Sequence, residues 1–362
     1  MRRQIIIGVT LLLALLLSAA PVLAAVDINA ALDYLKTQQN ADGGFGSGFS
    51  PGSSISATAD TALAIVAAGG NLADFQKGGE TPLTYLESQA PSAATAGDLS
   101  KLILAAIAAG ENPRQFGAVD SVAKLESLIG ADGKIGTATD TFVAHTLAIL
   151  ALKSAQRPIP AASVQVVKSA QQENGGWTWD GTAATAADTN TTAFAVQALI
   201  ADGEAANSEA VTKALAYYHG IQNTDGGWPY QNPSDFGTTT DANSTAVTIQ
   251  AILAAGQAPS SADWTTAEGK TPIAALEALQ NPSGGFAWQA TVPGDNLLAT
   301  VQALPALAGK AFPFATMDVG EPASPVVMPQ TGGAALNLAA ILLLSGLALA
   351  AGGYALRRRA AR

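Results

Sequence analysis

The chain has 362 residues, a formal net charge of −10 at pH 7 and no cysteine. An acidic chain lacks the basic patches that neutralise phosphate groups, so its composition argues against a nucleic-acid partner. The lack of cysteine excludes disulfide bonds and every site that requires a thiolate.

Residues 1–24 have the pattern of a secretion signal. Two arginines near the start precede an apolar run over residues 5–17, and residues 22–24 are typical of a signal-peptidase site. The break at residues 18–21 leaves this run shorter than the ~20 apolar residues that a membrane span needs. We therefore expect export with cleavage of this segment, and a retained membrane helix is the alternative.

Residues 26–309 contain a repeated motif of a glutamine, a pair of glycines and an aromatic residue. Its four near-copies are Gln39-Asn-Ala-Asp-Gly-Gly-Phe45, Gln172-Glu-Asn-Gly-Gly-Trp177, Gln222-Asn-Thr-Asp-Gly-Gly-Trp228 and Gln280-Asn-Pro-Ser-Gly-Gly-Phe286. A weaker copy at 131–136 and a helix predicted over Pro82–Gln89 raise the number of units to six. In each unit an amphipathic helix, expected to be an outer one, precedes the motif, and a mostly apolar, alanine-rich inner helix follows it.

Six aspartates are predicted to cap the inner helices, because an N-cap carboxylate accepts hydrogen bonds from the first free amides of a helix. They are Asp60, Asp98, Asp140, Asp188, Asp241 and Asp295. Alternatively, the six carboxylates form an acidic ring that binds a cation or a polar ligand. The motif itself is expected to be structural: the glycines end the outer helix, the aromatic fills the gap between hairpins and the glutamine amide bonds the turn.

The spacing of Tyr34, Gln39 and Gly43-Gly44-Phe45 resembles the Gln-Trp repeat of the terpenoid cyclase and protein prenyltransferase superfamily, and a second match surrounds Trp228. The resemblance implies an all-α α/α-toroid, in which six helix hairpins form two concentric rings over residues 26–309. The superfamily also includes cobalamin carriers and thioester domains, so it leaves the activity open.

The residues needed for the known activities of this superfamily are absent from the sequence. Squalene cyclases use an Asp-x-Asp-Asp acid, whereas this chain has single acids such as Asp188 and Asp241. The zinc site of prenyltransferases and the thioester bond both need cysteine, and cobalamin carriers need a β-domain after the toroid. We therefore expect no cofactor and no metal, and we interpret His145 and His219 as structural histidines.

Aromatic and acidic residues in the loops after the motifs are the candidate ligand-binding site. Trp177 and Trp228 are expected to fill the gaps between hairpins. The residues that remain available to bind a ligand at the rim of the toroid are Trp179, Tyr230, Trp288, Asp180 and Asp235. Such a rim suits an extracellular glycan, peptide or small molecule.

The sequence thus predicts a non-catalytic surface module that binds a ligand or mediates cell-surface interaction. The alternative is an extracellular enzyme, either carbohydrate-active or terpenoid cyclase-like with a degenerate active site. The acids to test for the carbohydrate-active enzyme are Asp42, Asp180, Asp225 and Asp235.

The C-terminal part is predicted to hold the protein at the cell surface. Residues 310–333 form a proline-rich linker that ends in Met328-Pro329-Gln330-Thr331-Gly332, residues 334–356 a membrane span and residues 357–362 a basic cytoplasmic tail. The pentapeptide resembles the Leu-Pro-x-Thr-Gly sorting signal of sortase-anchored wall proteins, which implies cleavage after Thr331 and attachment to the cell wall. A plain transmembrane anchor is the alternative.

Overall fold

The computed structural model describes residues 26–48, 50, 52–235 and 237–321. The predicted secretion signal, sorting motif and C-terminal membrane span lie outside these residues. Within these ranges, no helix combines the length and the apolarity that crossing a membrane requires.

Twelve α-helices of the described chain form two layers. The outer helices are α1 (Ile28–Gln38), α3 (Pro82–Gln89), α5 (Ser121–Glu126), α7 (Ala161–Ser169), α9 (Glu209–Ile221) and α11 (Pro272–Glu277). The inner helices are α2 (Ile55–Ala67), α4 (Ala96–Ala108), α6 (Phe142–Ser154), α8 (Thr189–Asp202), α10 (Ala242–Ala254) and α12 (Leu297–Leu307). Each inner helix packs on the next, and α12 packs on α2. The inner ring is therefore closed, as the predicted α/α-toroid requires.

The composition of the helices explains the two layers. Helix α6 is buried along nearly its whole length, and its alanines and leucines face neighbours on every side. Helix α1 buries only Ala31, Tyr34 and Leu35 and exposes its charged face. Alanine-rich inner helices can approach one another closely, whereas the amphipathic outer helices shield them from water.

The first glycine of each motif allows two neighbouring repeats to touch through their backbones. Gly284 has a φ of +88°, and a Cβ added there would overlap the carbonyl oxygen of Ala30 in α1. Gly43, Gly175 and Gly226 have the same left-handed conformation and the same kind of contact with the next outer helix. A side chain at any of these positions would separate the repeats.

The motif glutamine also joins each repeat to the next. The Gln39 side chain donates to the carbonyl oxygens of Gly43 at 2.9 Å and Phe75 at 3.0 Å. Gln222 forms the same pair of bonds. In every copy the glutamine bonds the carbonyl of the first motif glycine, four residues later. In the fourth repeat the glutamine in this position is therefore Gln171, which bonds Gly175, and not the predicted Gln172.

Gln280 closes the ring by the same means. Its amide donates to Gly284 and, at 2.8 Å, to the carbonyl of Asp27, while the backbone N–H of Asp27 donates back to its side-chain oxygen at 2.8 Å. The last repeat is thus hydrogen-bonded to a residue 253 positions earlier in the chain.

The prediction of aspartate N-caps is correct for Asp188 and Asp241 and wrong for the other four aspartates. The helices concerned begin elsewhere, at caps supplied by Ser54, Thr95, Thr141 and Asn296. Asp60 lies within α2, Asp98 in the first turn of α4 and Asp295 in a strand. Asp140 instead accepts the backbone N–H groups of Ala96 and Gly97, and so joins the starts of two inner helices.

The loop of the sixth repeat is a small antiparallel hairpin, formed by β1 (Phe286–Gln289) and β2 (Val292–Asn296). It is a local departure from the all-α prediction. The hairpin exposes Trp288 and Val292, which are 41% and 47% accessible.

The segment Lys310–Gly320, called the strap below, packs against the toroid. The backbone N–H of Met317 donates to the Ser154 carbonyl at 2.8 Å, and Val319 is buried. The compact unit extends to Gly320. A free linker from residue 310 was predicted from proline content, but apolar side chains in this segment dock it onto the ring.

Replacing Gly284 by alanine should open the ring. We expect Gly284→Ala to lower the free energy of unfolding by about 3 kcal/mol or more, since it adds a backbone clash to an unfavourable φ. Gly256→Ala is the matched control, because Gly256 has a φ of +73° but no atom within 4 Å of the added Cβ, and should cost only about 1 kcal/mol. Urea denaturation followed by circular dichroism measures both, and equal losses would contradict the role of the backbone contact.

Candidate functional site

A cavity of about 510 Å³ lies at the centre of the ring and is lined by all six inner helices. The hydrocarbon part of its wall includes Leu63, Leu104, Leu147, Phe194, Val247 and Val301. A centre filled with alanine, leucine and valine would leave no room for a small molecule, and this ring is not filled. Its size lies in the range of small-molecule sites.

Hydrogen bonds between loops and helix starts bring the N-termini of the inner helices together at one mouth of the cavity. The N–H of Phe142, at the start of α6, donates to the Trp179 carbonyl, and the N–H of Thr189, at the start of α8, donates to the Tyr230 carbonyl. Trp179 and Tyr230 therefore stand beside this mouth, and their side chains line the cavity.

Asp188 is the buried carboxyl group of this mouth. It caps α8, and its Oδ1 accepts the Thr191 N–H at 2.7 Å, whereas Oδ2 is buried without a hydrogen-bond partner. Burial raises the pKa of Asp188 to about 6, although the bond from Thr191 and the nearby Tyr230 hydroxyl favour the charged form. The carboxyl group therefore changes protonation near neutral pH.

Two tyrosines from the repeat motif hold Asp188 in position. The hydroxyl of Tyr217 donates to the carbonyl of Ala187 at 3.1 Å, and that of Tyr218 donates to the carbonyl of Thr189 at 3.2 Å. The backbone on both sides of Asp188 is thus tied to outer helix α9. This arrangement gives a catalytic or binding carboxyl group a rigid support.

Asn190 and Gln250 add two further polar groups to the cavity wall. Asn190 Oδ1 and Gln250 Oε1 are buried without hydrogen-bond partners, as is Asp188 Oδ2. Buried polar atoms are normally paired, because leaving one unpaired costs about 1–3 kcal/mol. Water or a ligand in the cavity can supply the missing hydrogen bonds if these side chains turn toward it.

An ion pair occupies the opposite part of the wall. Lys101 Nζ lies 2.6 Å from Asp60 Oδ2 and donates to Ser56 Oγ at 2.7 Å. The pair links α2 to α4 and neutralises both charges, so the cavity presents little net charge on this side. Sequence reasoning treated Asp60 as a cap and did not identify Lys101.

The predicted rim residues fall into two groups. Trp179 and Tyr230, 51% and 42% accessible, line the cavity, while Trp288 is exposed but does not line it. Asp180 accepts bonds from Thr178, Thr182 and Thr185, which organise its own loop, and hydrogen bonds from these threonines outweigh its slight burial and lower its pKa. Asp235 is exposed on a loop outside the cavity wall.

The four acids named for a carbohydrate-active enzyme do not line the cavity. Asp42 and Asp225 each accept the backbone N–H two residues ahead, and so form part of the glycine turns. The structure therefore places no pair of these carboxylates across the cavity.

His145 has a structural role. Its Nδ1 accepts the Ile135 N–H at 2.9 Å, and its Nε2 lies 3.0 Å from the Ser163 carbonyl, to which it donates. Threonine hydroxyls accept the corresponding N–H in the other motifs, for example Thr58 for Phe45. Burial lowers the pKa of His145, so the neutral ring is favoured.

His219 stacks on Trp264 with a centroid distance of 3.9 Å. In the described part of the chain, no three histidine or acidic side chains are grouped closely enough to hold a metal ion.

The raised pKa values of Asp188 and Asp241 predict a pH-dependent stability. Both lie at about 6, above the unfolded value near 4, so the folded state binds more protons and stability should fall as pH rises from about 4 to 7. Asparagine caps a helix as well as aspartate does. We expect Asp188→Asn to flatten this slope and to stabilise the protein at pH 7 by roughly 1–3 kcal/mol.

Urea denaturation at a series of pH values tests this expectation, with Asp235→Asn as the exposed control. An unchanged slope in Asp188→Asn would show that Asp188 is not protonated in this range.

The comparisons with known proteins agree with the toroid fold. Residues 131–294 match the squalene-hopene cyclase C-terminal domain family, and residues 4–84 match the prenyltransferase alpha-alpha toroid domain family. No curated protein sequence matches the chain.

Solved structures share the fold at low identity. The type II terpene cyclase MstE from Scytonema, in its apo form, is 15% identical with a TM-score of 0.55, covering 78% of this chain and 96% of that chain. A variant of it in complex with its substrate, geranylgeranyl dihydroxybenzoate, gives a TM-score of 0.56 at 15% identity, covering 78% and 95%. A protein from Actinoplanes is 14% identical with a TM-score of 0.55, covering 78% and 98%. The chain is therefore similar to terpene cyclases and has their α/α-toroid fold.

Proposed function

We propose that this toroid binds an elongated, mainly apolar small molecule in its central cavity, without turning it over. The observation that carries the proposal is a cavity of about 510 Å³ whose wall is mostly hydrocarbon but includes the buried acid Asp188 near its mouth. The apolar part of the ligand would lie along Leu63, Leu104 and Leu147, and its polar end would bond Asp188 at the mouth.

An isoprenoid with a polar head is the ligand class that fits best. The fold is shared with a cyclase whose substrate is geranylgeranyl dihydroxybenzoate, a molecule with a long hydrocarbon chain and a hydroxylated end. The cavity of this chain offers the same two environments, hydrocarbon in its depth and hydrogen-bonding groups at its mouth. This correspondence supports the proposal.

Two rim tryptophans provide a matched test. Trp179 lines the cavity and Trp288 does not, although both are exposed. We expect geranylgeraniol to bind the wild type, Trp179→Ala to weaken binding roughly 5–30-fold and Trp288→Ala to leave it unchanged, since an aromatic contact is worth about 1–2 kcal/mol. Displacement of a fluorescent geranylgeranyl probe measures all three proteins, with a glycan panel in parallel.

Equal losses in the two variants would place the ligand outside the cavity. Binding of a glycan alone would favour the rim residues first suggested by the sequence.

A cyclase is the second candidate, favoured by the pKa of Asp188 near 6, since a buried carboxylic acid can serve as a proton donor. The Asp-x-Asp-Asp motif is absent from the sequence, which leaves Asp188 without an adjacent acid. Gas chromatography of the same incubations distinguishes the two functions. A cyclised product that forms with the wild type and not with Asp188→Asn would show that the protein is a cyclase and not a binding protein.

We also propose that the toroid is exported and held at the cell surface. The support is the sequence alone: the signal pattern of residues 1–24, the motif at 328–332 and the apolar run before the terminal arginines. Mass spectrometry of the mature protein should find Thr331 as the last residue of its own chain, joined to wall peptide. A mature chain that retains Arg362 would instead identify a membrane anchor.

A further inference from the structure

We propose that the strap, Lys310–Gly320, closes one end of the cavity and sets the length of the ligand that fits. This inference rests on the proposed binding function and adds a specificity-determining element to it. Two strap residues, Phe312 and Phe314, belong to the cavity wall although they lie after the last helix of the toroid.

The two phenylalanines form an aromatic floor. Their rings stack at a centroid distance of 4.1 Å and an angle of 17°, and Phe312 also packs on Phe194 of α8 at 6.2 Å. Trp179 and Tyr230 stand at the mouth formed by the helix N-termini, whereas the strap bonds Ser154 at the C-terminal end of α6 and Gln197 in the second half of α8. The floor and the mouth are therefore at opposite ends of the cavity, and the distance between them limits the length of a bound chain.

Hydrogen bonds hold the strap in place independently of the two rings. The backbone N–H of Phe312 donates to Gln197 Oε1 at 2.9 Å, and the Ser154 hydroxyl donates to the Ala315 carbonyl at 2.7 Å. The N–H of Met317 returns a bond to the Ser154 carbonyl at 2.8 Å. Removing a phenyl ring thus deepens the cavity while these backbone bonds keep the strap on the ring.

Two arginines secure the end of the strap. Arg114 and Arg157 donate to the carbonyl oxygen of Gly320 at 2.9 Å and 3.1 Å. Each arginine is oriented by a carboxylate, Asp120 at 2.9 Å and Glu126 at 2.7 Å. The strap is thus a fixed part of the cavity, and its two phenyl rings are the part that a ligand meets.

The matched variants separate cavity depth from strap stability. Phe314→Ala and the milder Phe314→Leu remove a ring from the floor and so deepen the cavity. Met317→Ala removes packing from the same strap at a residue that does not line the cavity. A phenyl ring occupies about the space of one isoprene unit, so its removal should make room for a ligand that is longer by one unit.

The experiment measures dissociation constants for geraniol, farnesol, geranylgeraniol and geranylfarnesol. It uses the full-length chain in lipid nanodiscs, with empty nanodiscs as the blank and displacement of the fluorescent probe as the signal. We expect the Phe314 variants to shift the preference toward the next longer alcohol by roughly ten-fold in the ratio of affinities. Met317→Ala should keep the wild-type preference even if its melting temperature falls.

The outcomes test the strap inference separately from the proposed binding function. A wild type that binds none of the alcohols overturns the proposed function and this inference with it. A wild type with a clear length preference that the folded Phe314 variants retain overturns the strap inference alone. An equal shift in length preference in Met317→Ala would also overturn the strap inference, because a loosened strap and not a deeper cavity would then explain the change.

Discussion

The toroid depends on a close backbone contact between each glycine turn and the outer helix of the next repeat. The contact pairs are Gly43 with Thr81, Gly133 with Ala162, Gly175 with Lys213, Gly226 with Thr271 and Gly284 with Ala30. Because only glycine combines a left-handed backbone with the absence of a side chain, this contact fixes how far apart successive hairpins stand. The spacing of hairpins in turn determines the diameter of the inner ring, and so whether a cavity remains at its centre.

The cavity places polar groups at a position where they weaken the fold. Burial raises the pKa of Asp188 and of Asp241 to about 6. Asp188 has a buried oxygen without a partner, whereas Asp241, the equivalent cap of α10, uses both oxygens to accept bonds from Ser244. An unpaired buried carboxylate costs stability, and proteins tolerate such groups mainly at functional sites. The contrast between two equivalent caps supports the proposal that Asp188 contacts a ligand.

Sequence reasoning succeeded where the signal was local. The glutamine, glycine and aromatic positions of the motif lie within a few residues of one another, so their roles in the turn could be predicted, and the closed ring followed from their repetition. The cavity could not be predicted, because whether inner alanines and leucines fill the centre depends on the ring diameter. Lys101 and Phe312 were missed for a related reason: each acts through a partner far along the chain, Asp60 and Phe194 respectively.

The bond between Gln280 and Asp27 has a consequence for the order of folding. In an open array of repeats, structure can begin anywhere and spread to either end, since each unit needs only its neighbour. Here Gly284 can pack against the first outer helix only after the sixth unit has formed, and the hydrogen-bonded residues Gln280 and Asp27 are 253 residues apart. Joining such distant residues is slow, because the entropy of closing the loop is lost before the contact forms. We therefore expect a partial ring to leave the facing surfaces of α2 and α12 exposed until the last step, so that closure of the ring favours cooperative folding.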